Sequence, residues 1–138
     1  MTDQLKDRIK NAGLLDKVCD VETAAAFIRP NMTLGVSGFT MSGDIKKIPA
    51  ALAKRAEAGE KLNLTVYSGA SLGDEFDGVL ARAGALKCRM PYQTNKDLRN
   101  CINQGKVKYL DMPLSLLPKW VKSGYLNKVD VAVIEAPK

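Results

Sequence analysis

The chain is predicted to be α/β, an open, mostly parallel sheet with helices on both faces, forming a single domain over residues 1–138. Two observations carry this. Short apolar runs alternate with one-sided helical patterns at about 30-residue spacing, the interval of a strand–helix–strand unit. Two of those runs also lead straight into loops of small residues, 37–43 and 68–73. Such loops form at the carboxyl edge of a parallel sheet, where α/β proteins bind ligands. Right-handed crossovers then place the helices on the sheet faces.

Taken in order, the polar start over residues 2–11 is expected to be a surface helix ending near Gly13. A second helix is expected over 22–28, closed by Pro30 and Asn31. Residues 32–36 read as a buried strand. Beyond the first small-residue loop, Ile45, Ile48, Pro49, Leu52, Ala53 and Ala56 share one helical face, with Pro49 in the first turn and Gly59 after the end. Residues 62–67 form the second strand, and Phe76, Val79, Leu80 and Ala83 mark the helix after it. Residues 86–90 make a third strand stopped by Pro91, and Leu98, Cys101 and Ile102 the stripe of the next helix. A strand over 107–112 and a helix over 114–121 follow. The last strand, 129–135, is apolar enough to be a central parallel one. The chain stops just after it, where a further loop or helix is expected, which points to a piece of a longer protein.

Composition excludes a good deal. Histidine is absent, so a histidine-based triad, metal site or acid–base pair cannot be built within the chain. Cys19, Cys88 and Cys101 are odd in number and widely spaced, which argues against a disulfide framework and a zinc site. No apolar run approaches a membrane span, and the N-terminus has no secretory signal, so a cytoplasmic protein without membrane contact is expected. The net charge of +6 comes with only short basic pairs, so nucleic acid is not an expected partner. A phosphate-bearing small ligand suits that charge, as does a merely solvated basic surface.

The two glycine-bearing loops are the candidate site. Gly38 and Gly43 let the backbone approach an anion or acyl oxygen, although an ordinary turn explains them as well. Ser71, between Gly69 and Gly73, offers a hydroxyl to a carboxylate or thioester oxygen. The pattern Gly69-Ala70-Ser71-Leu72-Gly73 has the spacing of a hydrolase nucleophile elbow, but with no histidine to activate the serine it is read as a binding element. Asp74, Glu75 and Asp77 read as an acidic cluster at a helix N-terminus, stabilised by the dipole.

An ordered series spans nearly the whole chain. It runs Val36-Ser37-Gly38-Phe39-Thr40, Ile48-Pro49-Ala50-Ala51-Leu52-Ala53, Ser68-Gly69-Ala70-Ser71 with Asp77-Gly78, then Pro91-Tyr92-Gln93-Thr94-Asn95, Tyr109-Leu110-Asp111-Met112 and Val129 to Ala136. This series resembles the first part of the acetyl-CoA hydrolase/transferase family, which includes succinyl-CoA:acetate and 4-hydroxybutyrate CoA-transferases. The resemblance implies the first half of a two-domain CoA-transferase fold, acting on a coenzyme A thioester as substrate with no permanently bound cofactor and no metal. It implies transfer of coenzyme A between an acyl-CoA and a small carboxylate (acetate, succinate, butyrate or 4-hydroxybutyrate) through a glutamyl-CoA thioester.

The family glutamate is expected beyond Lys138, so no catalytic residue is expected in this chain, and Glu135 is not taken for it. Carried onto matched positions, the substrate-binding residues are Ser71, Gly69, Ala70, Gly38, Phe39 and Thr40, with Tyr92, Gln93 and Asn95 from a third loop. Asn95 is equally a helix N-cap. The implied partners are the acyl-CoA, the carboxylate, the protein's own C-terminal half and a homo-oligomer of the full-length protein. Against this stand a free-standing acyl-CoA or small-anion binding module, half of a two-chain assembly, and a sugar-phosphate isomerase of similar architecture.

Overall fold

The computed structural model describes residues 8–136. Its strands are β1 Thr33–Val36, β2 Leu64–Ser68, β3 Leu86–Met90, β4 Lys108–Tyr109 and β5 Val131–Val133. Its α-helices are α1 Val21–Ala26, α2 Lys47–Glu57, α3 Val79–Arg82, α4 Lys96–Asn103 and α5 Leu117–Ser123. The strands form one sheet in the order β4-β3-β2-β1-β5, and every pair is parallel. The predicted α/β class is the observed one.

That order has a consequence for function. The chain steps outward from β1 to β4 and then returns to the other side of β1, with Leu34 opposite both Val66 and Val131. The strand order therefore reverses between β1 and β5, the position at whose carboxyl edge open α/β sheets bind ligands. A clasp closes the β1–β5 join at its other end. Thr33 donates its N–H to the Asp130 carboxylate at 2.8 Å, and Asp130 N–H donates to the Thr33 carbonyl at 2.9 Å.

The two faces are covered unequally. Leu34, Val36, Leu64 and Val66 pack under α1 to α4 with Ile28, Leu52, Phe76, Leu80 and Leu98, all buried. The apolar periodicity of α2 is what turns Leu52 and Ala53 inward. On the other face α5 is the one α-helix among the described residues, its Leu117 in a smaller cluster with Tyr67, Met90 and Met112. An apolar groove of about 600 Å³ is left open there, lined by Gly35, Tyr67, Leu117, Val121, Val129 and Ala132 among others.

Local sequence explains the helix ends. Asp20 caps α1 by accepting from the Thr23 N–H at 2.7 Å, a bond that holds its carboxyl below the usual range. Arg55 of α2 reaches across to the carbonyls of Ala25 and Ile28 at 2.7 and 2.9 Å, tying α2 to the end of α1.

Several expectations change. The helix expected over 2–11 falls mostly outside the described residues, and a 3₁₀ turn, Ala12–Lys17, occupies the place where it was to have ended. The strand expected over 107–112 shortens to β4, because Leu110 and Asp111 are exposed and pair with no neighbour beyond β3. The strand expected to be central, β5, lies at an edge among the described residues and pairs there with β1 alone, with Ile134 72% exposed. A run apolar on both faces reads as buried, but its position in the strand order is decided by the crossovers and not by hydropathy. No helix among the described residues is long and apolar enough to cross a membrane.

Candidate functional site

Three loops meet at the carboxyl ends of β1, β2 and β3. In the first, Ser37 Oγ donates to the Gly43 carbonyl at 3.0 Å and accepts from the Glu135 N–H at 2.8 Å, joining the loop to the end of β5. Phe39 and Ser42 exchange backbone hydrogen bonds at 2.9 and 3.0 Å, which makes 39–42 a tight turn. Thr40 at its tip has φ +58°, a left-handed conformation costly for a β-branched residue. Phe39 and Met41 on either side stand 64% and 80% exposed.

The second loop is tied to the first by Thr40, whose N–H donates to the Ser71 carbonyl at 2.8 Å. Ser71 itself is fully buried. Its Oγ accepts from the Thr94 N–H at 3.0 Å and lies 2.7 Å from Thr94 Oγ1, so it joins the second loop to the third. Ala70 is buried beside it, while Gly69 is exposed.

In the third loop Pro91 is buried and Tyr92 takes φ +45° with its ring half exposed. Gln93 places Oε1 where it is buried and finds no partner among the described residues. Asn95 caps α4, its Oδ1 accepting from Asp97 N–H at 2.9 Å and Leu98 N–H at 3.0 Å while Nδ2 donates to Asp74 at 3.1 Å.

Beneath these loops lies an ion pair with both side chains fully buried, Arg89 of β3 and Asp77. Arg89 Nε donates to Asp77 Oδ1 at 2.8 Å and Nη2 to Oδ2 at 3.1 Å. The remaining capacity is spent on loop backbone. Arg89 Nη1 donates to the Met90 carbonyl at 2.7 Å and Nη2 to the Ala70 carbonyl at 3.3 Å, while Asp77 Oδ2 accepts from the Leu72 N–H at 3.1 Å. Removing two charges from water costs several kcal/mol per ion, and a pair so saturated with hydrogen bonds offsets that cost. Asp77 sits in a single π turn, Asp74–Gly78, that runs into α3. Its wider winding carries Asp77 inward, whereas Asp74 and Glu75 stay exposed. The dipole reading therefore fits Asp74 and Glu75, and Asp77 is corrected to a buried ion-pair partner.

Taken together, Gly38, Phe39 and Thr40 adjoin Gly69, Ala70 and Ser71, which adjoin Tyr92, Gln93 and Asn95 through Thr94. Phe39, Gly69 and Tyr92 face outward. Among the described residues no group of three or more His, Cys, Asp or Glu is placed to hold a metal ion.

The profile of the acetyl-CoA hydrolase/transferase N-terminal domain matches residues 2–138. The chain belongs to that family. Within it, the chain is 44% identical over 130 residues to a succinyl-CoA:acetate CoA-transferase of Clostridium kluyveri, covering 94% of this chain and 24% of that protein. A propanoyl-CoA:succinate CoA transferase of Escherichia coli K12 is 42% identical over 117 residues, 82% of this chain and 24% of its own length. An acetyl-CoA hydrolase of Kluyveromyces lactis is 33% identical over 142 residues, 96% of this chain and 27% of its own. The chain thus spans about a quarter of the length of these relatives. The fold is shared with RipA of Yersinia pestis, with TM-score 0.67 at 18% identity over 88% of this chain and 30% of that one.

In this acetyl-CoA hydrolase/transferase domain, the residues that sequence reasoning missed are Thr94, Arg89 and, in its true role, Asp77. Arg89 left one signal. A charge in a strand flanked by parallel neighbours must find a buried counter-charge, and Asp77 in the preceding connection was one candidate.

Proposed function

We propose that this chain is the N-terminal domain of an enzyme that moves coenzyme A between an acyl-CoA and a small carboxylate. The transfer runs through a glutamyl-CoA thioester whose glutamate lies outside these residues. The observation that carries this reading is the rim formed by the three loops, with Phe39, Gly69 and Tyr92 exposed along it, within a family match over residues 2–138.

In this reading the Ser71–Thr94 hydroxyl pair is the polar contact for the carboxylate or thioester oxygen, with Thr94 on its exposed side. Gly38, Phe39, Thr40, Gly69 and Ala70 shape the wall around it, and Tyr92 and Gln93 close the third side. Asn95 contributes by fixing the start of α4. With no histidine in the chain to activate it, Ser71 serves as a binding hydroxyl in this reading and not as the nucleophile. Transferase and hydrolase outcomes differ only in whether a carboxylate or water attacks the thioester.

The test is an assay of coenzyme A transfer from succinyl-CoA and acetyl-CoA to a panel of acetate, succinate, butyrate and 4-hydroxybutyrate. The full-length polypeptide is expected to be active and the 138-residue chain inactive. Turnover by the 138-residue chain alone would overturn the placement of the glutamate, and binding of acyl-CoA without turnover in the full-length polypeptide would favour the free-standing module.

A further inference from the structure

We infer that Arg89 and Asp77 are positioning residues for the Ser71–Thr94 hydroxyl pair, rather than an ion pair that serves the fold alone. This rests on the coenzyme A transfer reading above.

The geometry is specific. Ser71 is bracketed by Ala70 and Leu72, and the buried pair holds both of them, the first through its carbonyl on Arg89 and the second through its N–H on Asp77. The same guanidinium holds the Met90 carbonyl, where the third loop leaves β3 on its way to Thr94. One planar side chain therefore ties down both strands of backbone that carry the two hydroxyls. A guanidinium suits this work because its donors leave in fixed directions, whereas an ammonium is a point charge. Neither Arg89 nor Asp77 touches solvent, so neither meets a ligand, and their influence passes through Ala70, Leu72 and Met90.

Fold and positioning can be separated because removing both charges of a buried ion pair together leaves no unpaired charge in the core, and proteins often fold after such a replacement. The double variant Asp77→Leu/Arg89→Met removes both charges together with every bond to the loops. It is expected to fold but to unfold below the wild-type temperature, because the Leu72 N–H and the Met90 carbonyl lose their partners. Amide hydrogen exchange at Thr40 and Thr94, whose N–H groups bond to Ser71 and not to the ion pair, is expected to speed up about tenfold or more. In the full-length polypeptide, KM for the carboxylate is expected to rise about tenfold with kcat changed less than about threefold.

A folded double variant with wild-type exchange and wild-type KM would show that the pair serves only the fold. If the double variant does not fold, Arg89→Lys keeps the charge beside Asp77 while giving up the planar fork, and the same two readouts apply with the same expected directions. Failure of both variants to fold would also overturn the inference. If the wild-type polypeptide transfers coenzyme A to no carboxylate, the functional reading falls, and the exchange rates alone decide whether the pair places the loops.

Discussion

Thr40 N–H donates to the Ser71 carbonyl at 2.8 Å, and that bond joins the loop after β1 to the loop after β2. It holds Thr40 left-handed between exposed Phe39 and Met41. The strain at Thr40 is tolerated because the partner carbonyl belongs to a serine fixed on its other side by Thr94.

Gly38 is where this arrangement is most easily broken. Its φ of +130° lies where residues with a Cβ are strained, and a Cβ there would overlap the Leu72 side chain and press on the Asp44 backbone at 3.1 Å. Gly38→Ala is expected to cost about 1–3 kcal/mol in denaturant unfolding. It should also speed exchange of the Thr40 amide. A change of less than about 0.5 kcal/mol with unaltered exchange would show that the loop has another conformation open to it.

Ser71→Ala removes the acceptor of the Thr94 N–H and leaves a donor at the loop junction without its partner. A stability loss of about 1–3 kcal/mol is expected from that alone. In the full-length polypeptide, kinetics with several carboxylates should deteriorate as well. Wild-type kinetics with all of them would make Ser71 a turn residue only.

Asn95→Ala takes away the cap of α4 and the bond to Asp74 together. The expected loss is about 1–2 kcal/mol in thermal or denaturant unfolding, and Asn95→Ser should recover most of it, because serine caps as well. Equal losses from the two substitutions would assign the effect to the Asp74 contact instead of the cap.

Acid should weaken the fold through two surface carboxylates. Arg82, and after it Asn95, hold the Asp74 carboxyl below its usual range, and Arg55 does the same for Glu60. Above the ordinary carboxyl range both groups are ionised whether the chain is folded or unfolded, and their contribution is fully present. As pH falls, the unfolded carboxyls take up protons first, so stability drains away until the folded ones protonate too. Between about pH 6 and about pH 3 the wild type should lose more stability than Asp74→Asn/Glu60→Gln. The Arg82–Asp74 pair is exposed and the Arg55–Glu60 pair only half-buried, so the difference should be small and shrink further in salt. Parallel curves for the two proteins would remove these pairs from the acid response.

Much of this was written in plain periodicity. Leu52 and Ala53 in α2, Leu98 in α4 and the run from Leu64 to Tyr67 carry patterns that allow one burial solution each, and those elements stand where expected. The loops were legible as loops, because Gly, Ser and Thr after an apolar run mark the carboxyl edge of a parallel strand. What joins them was not. The bonds from Thr94 to Ser71 and from Arg89 to Ala70 link residues from separate strand–helix units, and no local pattern records which partner a hydroxyl or guanidinium will meet. The edge position of β5 escaped for a similar reason. Hydropathy reports that Val131 and Val133 are apolar, whereas only the path of the chain decides how many neighbours they find.

The clasp between Thr33 and Asp130 has a further meaning during synthesis. β1 emerges from the ribosome early, and β2 can pair with it soon after. Its other flank waits for residues made nearly a hundred positions later. Through that interval the nascent chain carries a row of unpaired peptide groups beside an apolar face, a template that other unfolded chains can extend. Asp130 ends that exposure. Its backbone and its carboxylate engage the same residue of β1, which fixes the register at which β5 pairs and moves the open edge from β1 to the shorter β5.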